Sequence, residues 1–88
     1  MDMYIKIPID IINNYQLSNG SKLLFGYILS LTKKDGFCYA SNKHLSENLG
    51  VSTRTISKFL KELYEENLID FKYTISKKRN IYLRSNFL

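Results

Sequence analysis

The sequence has few of the residues on which whole classes of protein depend. Its 88 residues include one cysteine, one proline, one histidine and no tryptophan. A single cysteine cannot form an internal disulfide, so a disulfide-stabilised secreted scaffold is excluded and a reducing compartment is expected. No apolar run approaches the roughly 20 residues of a membrane helix, and the N-terminus lacks a signal peptide's charged and apolar segments. We therefore expect a soluble, cytoplasmic protein with no membrane partner.

The residue patterns of catalytic and metal sites are missing as well. His44 and Cys38 are alone of their types and cannot supply a zinc site or a Cys/His nucleophile pair. The four scattered glycines form no phosphate-binding loop, and the glutamates at 62, 65 and 66 are typical of the solvated face of a helix. So short a chain builds one domain, taken as 1–88, without a deep substrate cleft. We expect no enzyme, no cofactor and no metal.

Positive charge is concentrated in the last part of the chain. Thirteen Lys and Arg residues against eight Asp and Glu residues give a net charge of +5. Residues 1–70 hold eight of the bases and all eight acids, so the whole excess lies beyond Asp70. A local positive excess favours a polyanionic partner. However, AT-rich coding also produces a chain rich in Lys, Ile, Asn and Tyr, so net charge alone does not decide the partner.

The first half of the sequence predicts an arm and a long helix. Residues 4–8 alternate like a short strand, and a brief helical turn could follow over 10–15. Ser18 is a good N-cap for a helix over about 19–34, which Gly36 would end. This helix is apolar on two sides, so it is either central in the core or shared with a second subunit.

The second half predicts two further helices and a hairpin. A short strand over 37–40 precedes a helix that runs from a cap at Ser41 to Gly50, and a third helix runs from a cap at Ser52 to about Asn67. Two alternating strands follow, over 68–75 and 81–85, with a basic loop over 76–80 between them. The residues expected on the apolar face of this hairpin are Phe71, Tyr73, Ile75, Ile81 and Leu83.

Residues 41–67 have the spacing of a helix-turn-helix. Gly50 can take the left-handed conformation that a sharp turn needs, Val51 would fill the angle between the helices, and Ser52 would cap the following helix. The apolar residues that would press the two helices onto the core are Leu45, Leu49, Ile56 and Leu60. The alternative is an ordinary helical hairpin with a solvated face.

The stretch from Leu45 to Ile69 resembles winged helix-turn-helix DNA-binding domains. More narrowly, Leu17-Ser18-x-x-Ser21-Lys22-Leu23-Leu24-Phe25-Gly26, Gly36-Phe37-Cys38-Tyr39-Ala40-Ser41-Asn42 and the Ile7-Pro8 lead-in are similar to the N-terminal domains of plasmid replication initiators and phage replisome organisers. The resemblance implies a small α+β fold of three helices and a C-terminal β-hairpin wing, with the helix-turn-helix at about 41–67 and the wing at about 68–86. Those proteins usually continue into a further domain, whereas this sequence stops at Leu88; a fragment and a self-standing binder both remain open.

The resemblance also implies how DNA would be held, with the third helix in the major groove. Its contact residues would be Ser52, Thr53, Arg54, Ser57, Lys58 and Lys61. Arg54 would read a guanine, or alternatively hold a phosphate. The DNA backbone would be held at the start of the second helix by Ser41, Asn42 and Lys43. The wing would contribute Lys72, Lys77, Lys78, Arg79, Asn80 and Arg84. Arg79 would be inserted into a narrow minor groove, unless the loop is only a solvated turn.

These features predict a site-specific binder of double-stranded DNA that acts in the replication of a plasmid, phage or other mobile element. Two alternatives keep the DNA and change the process: an accessory protein at a conjugative transfer origin or partition site, or a small transcriptional regulator. A third is a protein-interaction module that uses the apolar first helix and the arm and binds no DNA. A homodimer, tandem binding on repeated sites, and contacts with replication or transfer proteins are further possibilities.

Overall fold

The computed structural model describes residues 4–84, in which four helices are followed by one antiparallel hairpin. The elements are α1 (Ile9–Ile12), α2 (Asn19–Asp35), α3 (Asn42–Leu49), α4 (Thr53–Glu65), β1 (Ile69–Tyr73) and β2 (Arg79–Leu83). The predicted α+β fold of three helices and a wing is confirmed, with α1 as an additional short helix in the region of the predicted helical turn. The predicted end of the wing at residues 85 and 86 lies outside the described residues.

Serine side chains begin all three of the longer helices. The hydroxyl groups of Ser18, Ser41 and Ser52 each accept a hydrogen bond from the backbone N–H three residues later, at 3.1–3.2 Å. Glycines in the left-handed conformation end the first two of these helices, Gly36 with φ 80° and Gly50 with φ 70°. Because a side chain is strained at such angles, glycine is the residue that lets the chain turn there. All five positions agree with the sequence predictions.

The central helix of the core is α2. Its Leu24, Phe25 and Ile28 are fully buried, and the helix packs against α4 and β2. The other elements complete the core with Ile11, Cys38, Leu45, Ile56, Leu63, Ile69 and Ile81. Of the two predicted reasons for its apolar character, the structure therefore supports a central position.

The two short strands predicted before α3, over residues 4–8 and 37–40, are wrong. Residues 4–8 form no strand within the described chain; the arm lies over α2 instead, where the side chain of Ile7 approaches Gly26. Of residues 37–40, only Cys38 pairs, in a single bridge with Ile81. The chain then turns to the α3 cap, and the Ala40 carbonyl bonds to a side chain rather than to a strand. These contacts replace the backbone pairing that the alternating pattern suggested.

The hairpin turns earlier than the charge pattern predicted. The Lys77 N–H donates to the Thr74 carbonyl at 2.8 Å, and the Thr74 N–H donates to the Lys78 carbonyl at 2.9 Å. The connection is therefore residues 74–78 rather than 76–80, and Arg79 begins β2. As a consequence Ile75 lies in the turn, fully exposed, and Tyr73 is 68% exposed, although both were predicted on the core-facing side.

The end of α4 also differs from its prediction. The helix stops at Glu65 rather than near Asn67, because Asn67 has a positive φ of 60° that no α-helix accommodates. Asparagine tolerates this left-handed conformation better than most residues. The chain can therefore turn directly from α4 into β1.

Glu62 connects α4 to the start of α2, which corrects its prediction as a solvated residue. Its carboxylate accepts hydrogen bonds from the Ser18 N–H at 2.8 Å, the Ser18 hydroxyl at 3.2 Å and the Ser21 hydroxyl at 3.1 Å. Partial burial raises the pKa of Glu62, but these hydrogen bonds and the nearby Lys58 lower it more, so the pKa lies below its ordinary value. The ionised form therefore stabilises the fold.

We expect Glu62→Gln to cost about 1 kcal/mol of unfolding free energy at pH 7, because an amide keeps one acceptor oxygen but loses the charge-assisted bonds. Since the folded pKa is lowered, the contribution of the carboxylate is present above its unfolded pKa of about 4.3 and is lost as the pH falls through the folded value. Urea unfolding at pH 7 and pH 3 measures the difference. Glu65→Gln, at an exposed position, is the control. An equal deficit at both pH values would contradict the role of the charge.

Candidate nucleic-acid interface

One face of α4 is free of the core. Ile56, Leu60 and Leu63 are buried against the rest of the domain. The side chains on the other side are exposed, and they include five of the predicted contact residues: Thr53, Arg54, Ser57, Lys58 and Lys61. Ser52, the sixth, is the exposed cap at the start of the helix. The structure thus brings these six residues together along one helix.

The start of α3 lies beside this exposed face. The Asn42 amide nitrogen donates to the Ser57 hydroxyl at 3.0 Å, which joins the first residue of α3 to the middle of α4. Ser41 and Lys43, on either side, are exposed. The side chain of Ser41 is already used to cap α3, so among these three residues Lys43 offers the free charged group.

The tip of the hairpin presents two lysines and an isoleucine to solvent. Ile75, Lys77 and Lys78 are exposed, and no residue among 4–84 pairs with either ammonium group. Lys77 has a φ of 64°, at the left-handed end of the three-residue loop 75–77 that the bonds between Thr74 and Lys78 close, a position where glycine is usual.

Arg79 does not lie at the tip of the wing, which corrects its predicted place in the basic loop: it is the first residue of β2. Because the hairpin turns at 74–78, Arg79 points back towards α3, where Nη1 donates to the Asn42 amide oxygen at 2.6 Å and Nη2 to the Ala40 carbonyl at 2.8 Å. Its Nε is buried without a hydrogen-bond partner among the described residues. Burial lowers the pKa of Arg79 and nearby Cys38 and Tyr73 raise it, but a guanidinium stays charged in either case.

The remaining wing residues predicted to hold DNA are also engaged within the hairpin. Arg84 pairs with Asp70, Nε to Oδ2 at 3.3 Å, so its charge is balanced locally. The Lys72 ammonium lies 4.7 Å from the centroid of the Tyr82 ring. Asn80 is half-buried in β2. Of the five bases beyond Asp70, Lys77 and Lys78 are therefore the two that the described structure leaves free.

An open groove separates the end of α2 from the wing. It is lined by residues of α2, of the segment from Phe37 to Asn42 and of the hairpin, among them Leu31, Tyr39 and Lys78. Within residues 4–84 no three His, Cys, Asp or Glu side chains gather as a metal site would require. The helices of this range are also too short or too polar to cross a membrane.

Sequence reasoning missed the contacts that connect the three parts of this surface. The bonds from Arg79 to Asn42 and from Asn42 to Ser57 join residues 37 and 15 positions apart, so patterns among neighbouring residues cannot predict them. One signal was available, since arginine is a minority choice among the bases of this chain. A guanidinium group can bond two acceptors at once, as Arg79 does, whereas a lysine ammonium lacks this fixed geometry.

Comparison with known proteins places residues 15–69 in a family. Over these residues the chain matches the family model described as a helix-turn-helix domain. No curated protein sequence matches the chain significantly.

Three solved structures show the same fold at low sequence identity. The structure described as the N-terminal domain of a DNA-binding protein has a TM-score of 0.74 and 21% identity, over 96% of this chain and 76% of that one. The MDR initiator has a TM-score of 0.71 and 20% identity, over 96% and 78%. MepR, a Staphylococcus aureus transcription regulator of a multidrug efflux pump, has a TM-score of 0.67 and 19% identity, over 89% and 55%. At these identities the likeness is one of fold.

Proposed function

The chain belongs to the helix-turn-helix domain family, and from this premise we propose that it is a single DNA-binding domain, residues 1–88, that recognises a specific site on double-stranded DNA. The observation that supports this most is the exposed face of α4. Polar and basic side chains occupy it without a partner element, while buried Ile56 and Leu60 fix the opposite face to the core. A helix held in this way fits the major groove, which is about 12 Å wide.

The first half of α4 would read the bases. Thr53, Arg54, Ser57 and Lys58 lie on the first two turns, and Ser52 and Lys61 flank them. Arginine can bond guanine through both its O6 and N7 atoms, which makes Arg54 the main reader. Arg54 and Lys58 make this half positive, and Glu62 offsets part of that charge because its carboxylate interacts with Lys58 as well as with the start of α2.

The start of α3 and the wing tip would hold the DNA backbone. Ser41 and Lys43 lie beside α4, and Lys77 and Lys78 project from the hairpin. Lys72, Asn80 and Arg84 would support the shape of the wing, because they are packed or paired within it. Phosphate contacts of this kind position a protein on the duplex, and base contacts specify the sequence.

Replication initiation in a plasmid, phage or other mobile element is the role we propose for this binding. It is supported by the resemblance of the sequence to replication initiators and by the fold shared with the MDR initiator. Transcriptional regulation is a second candidate, favoured by the fold shared with MepR. An accessory role at a transfer origin or partition site has the same structural requirements. Binding would involve no catalysis, and paired or tandem copies would extend a short site.

Selection of bound sequences from random duplex DNA tests the proposal. We expect one enriched motif, whose position in the source replicon distinguishes a replication origin from a promoter or a transfer origin. Fluorescence anisotropy then measures the affinity for that motif over a range of salt concentrations. Absence of both enrichment and salt-dependent duplex binding would refute the proposal in favour of a protein-interaction module.

Arg54→Ala is expected to relax discrimination at one or two base pairs of the selected motif by about 1–3 kcal/mol, since a bidentate guanine contact is lost. Competition binding with single-base-pair variants of the motif measures this. Lys58→Ala is the matched comparison from the same face, and we expect it to weaken binding more evenly across the variants. An even loss for Arg54→Ala as well would make Arg54 a phosphate contact.

A further inference from the structure

Three side chains from the wing, α3 and α4 form one chain of hydrogen bonds. The Arg79 guanidinium donates to the Asn42 amide oxygen at 2.6 Å, and the Asn42 amide nitrogen donates to the Ser57 hydroxyl at 3.0 Å. Arg79 is anchored at the same time by the Ala40 carbonyl. The chain begins on a half-buried charge and ends on the exposed face of α4.

The direction of this chain is fixed by chemistry. A guanidinium can only donate hydrogen bonds, so the amide oxygen of Asn42 must face Arg79 and its NH₂ group must face Ser57. A bond from a charged donor is stronger than a neutral one, which holds the amide in this orientation. The Ser57 oxygen is thereby made an acceptor towards the protein.

The proton of the Ser57 hydroxyl is left unused. Ser30 and Ser46 donate their hydroxyl protons to backbone carbonyls three residues earlier, at 2.6 and 2.8 Å. The Ser57 hydroxyl donates no such bond within residues 4–84. Its one hydrogen bond in that range is the one it accepts from Asn42. Its proton is thus available to a group outside the protein.

We propose that Arg79 and Asn42 keep Ser57 as a hydrogen-bond donor towards the DNA. This rests on the binding of α4 in the major groove proposed above. A serine hydroxyl can ordinarily serve as donor or acceptor to a base edge and discriminates little. With its proton free and one of its two lone pairs occupied by Asn42, Ser57 favours base edges that carry acceptors, such as purine N7, guanine O6 or thymine O4, over the amino groups of cytosine and adenine. Arg79 and Asn42 are positioning residues that act through Ser57.

Asn42→Asp tests the direction of the hydrogen bonds from Arg79 to Asn42 and from Asn42 to Ser57. A carboxylate of nearly the same shape still accepts from Arg79 but can no longer donate. It would therefore accept a hydrogen bond from the Ser57 hydroxyl, which leaves the Ser57 oxygen only lone pairs to offer to the DNA. We expect the variant to be at least as stable as the native protein, because an ion pair replaces a hydrogen bond between the charged guanidinium and a neutral amide. We also expect the base preference to move towards cytosine or adenine amino groups at one base pair, by about three- to tenfold.

Selection from random duplex DNA, followed by competition binding, provides the readout. The added negative charge weakens binding to every sequence, so the relevant quantity is the ratio between bases at each position. Ser57→Ala is the control: in that background Asn42→Asp must leave the ratio unchanged. Asn42→Ala, which frees the hydroxyl to act either way, should lower discrimination at the same base pair without reversing it.

The outcomes separate this inference from the function on which it rests. A native chain that selects a motif, together with an Asn42→Asp variant that selects the same base at every position, would overturn the role of Ser57 and leave DNA recognition intact. A shift that persists in the Ser57→Ala background would also overturn it, since the effect would then arise elsewhere. A native chain that selects no motif refutes the proposed function, and the inference falls with it.

Discussion

A variant with Lys77→Gly and Lys78→Ala is expected to lose affinity for duplex DNA without losing stability. Each phosphate that a lysine neutralises steepens the dependence of log affinity on log salt by about 0.9. Removal of both wing contacts therefore lowers the slope by about 1.8, so between about 50 and 200 mM salt the native chain loses about twelvefold more affinity than the variant. Fluorescence anisotropy with one duplex over that range measures the two slopes.

The stability of the same variant is expected to be unchanged or higher. Lys77 has the left-handed φ of 64° that costs a residue with a side chain about 1–2 kcal/mol, whereas glycine adopts it freely. Thermal unfolding checks this part. Lys6→Ala with Lys33→Ala is the matched control, because it removes the same charge from exposed positions on the arm and α2. If both pairs reduce the slope equally, net charge is responsible and the wing contact is refuted.

Alanine at Gly20 is expected to lower the free energy of unfolding by about 1–3 kcal/mol. Elsewhere in a helix the same exchange stabilises by about 0.5–1 kcal/mol, so the sign itself is the prediction. A Cβ at Gly20 would overlap Cζ of the Phe59 ring and lie 2.6 Å from its Cε2. Phe59 packs against the core from α4, so a shifted ring would disturb the contact between α2 and α4.

Urea unfolding followed by circular dichroism measures this effect. Lys33→Ala, at an exposed position of the same helix, should stay within about 0.5 kcal/mol of the native value. Phe59→Leu combined with Gly20→Ala should recover part of the loss, because the smaller side chain leaves room for the new methyl group. An increase in stability with alanine at Gly20 would show that the two helices do not need this close approach.

The helices were predictable because their signals are local. Ser18, Ser41 and Ser52 cap the residues immediately after them, and Gly36 and Gly50 end the residues immediately before them. The short strands were not, because a strand exists only through a partner that the alternating pattern does not identify. In the segment over 37–40 only Cys38 pairs with a residue of β2, and the arm over 4–8 packs onto α2 instead.

The candidate site divides in the same way. The exposed face of α4 follows from helical spacing once Ile56 and Leu60 are taken as buried, so its residues could be read from the sequence. The positions of Arg79 and Glu62 could not be predicted from the sequence, since each depends on contacts with residues more than 35 positions away. The turn of the hairpin lies two residues earlier than the charge pattern predicted. This difference places Arg79 in β2 and leaves Ile75 exposed in the turn.

The bridge between Cys38 and Ile81 also protects the hairpin from other chains. Strand edges with free N–H and C=O groups can pair with a neighbouring molecule and start aggregation. β2 is bonded to β1 along one side, and its central residue exchanges two bonds of 2.7 and 2.8 Å with Cys38 on the other. The outer edge within the described residues belongs to β1, which is five residues long and carries the charges of Asp70 and Lys72. Copies of the domain crowded onto neighbouring sites would therefore have little opportunity to join their sheets edge to edge.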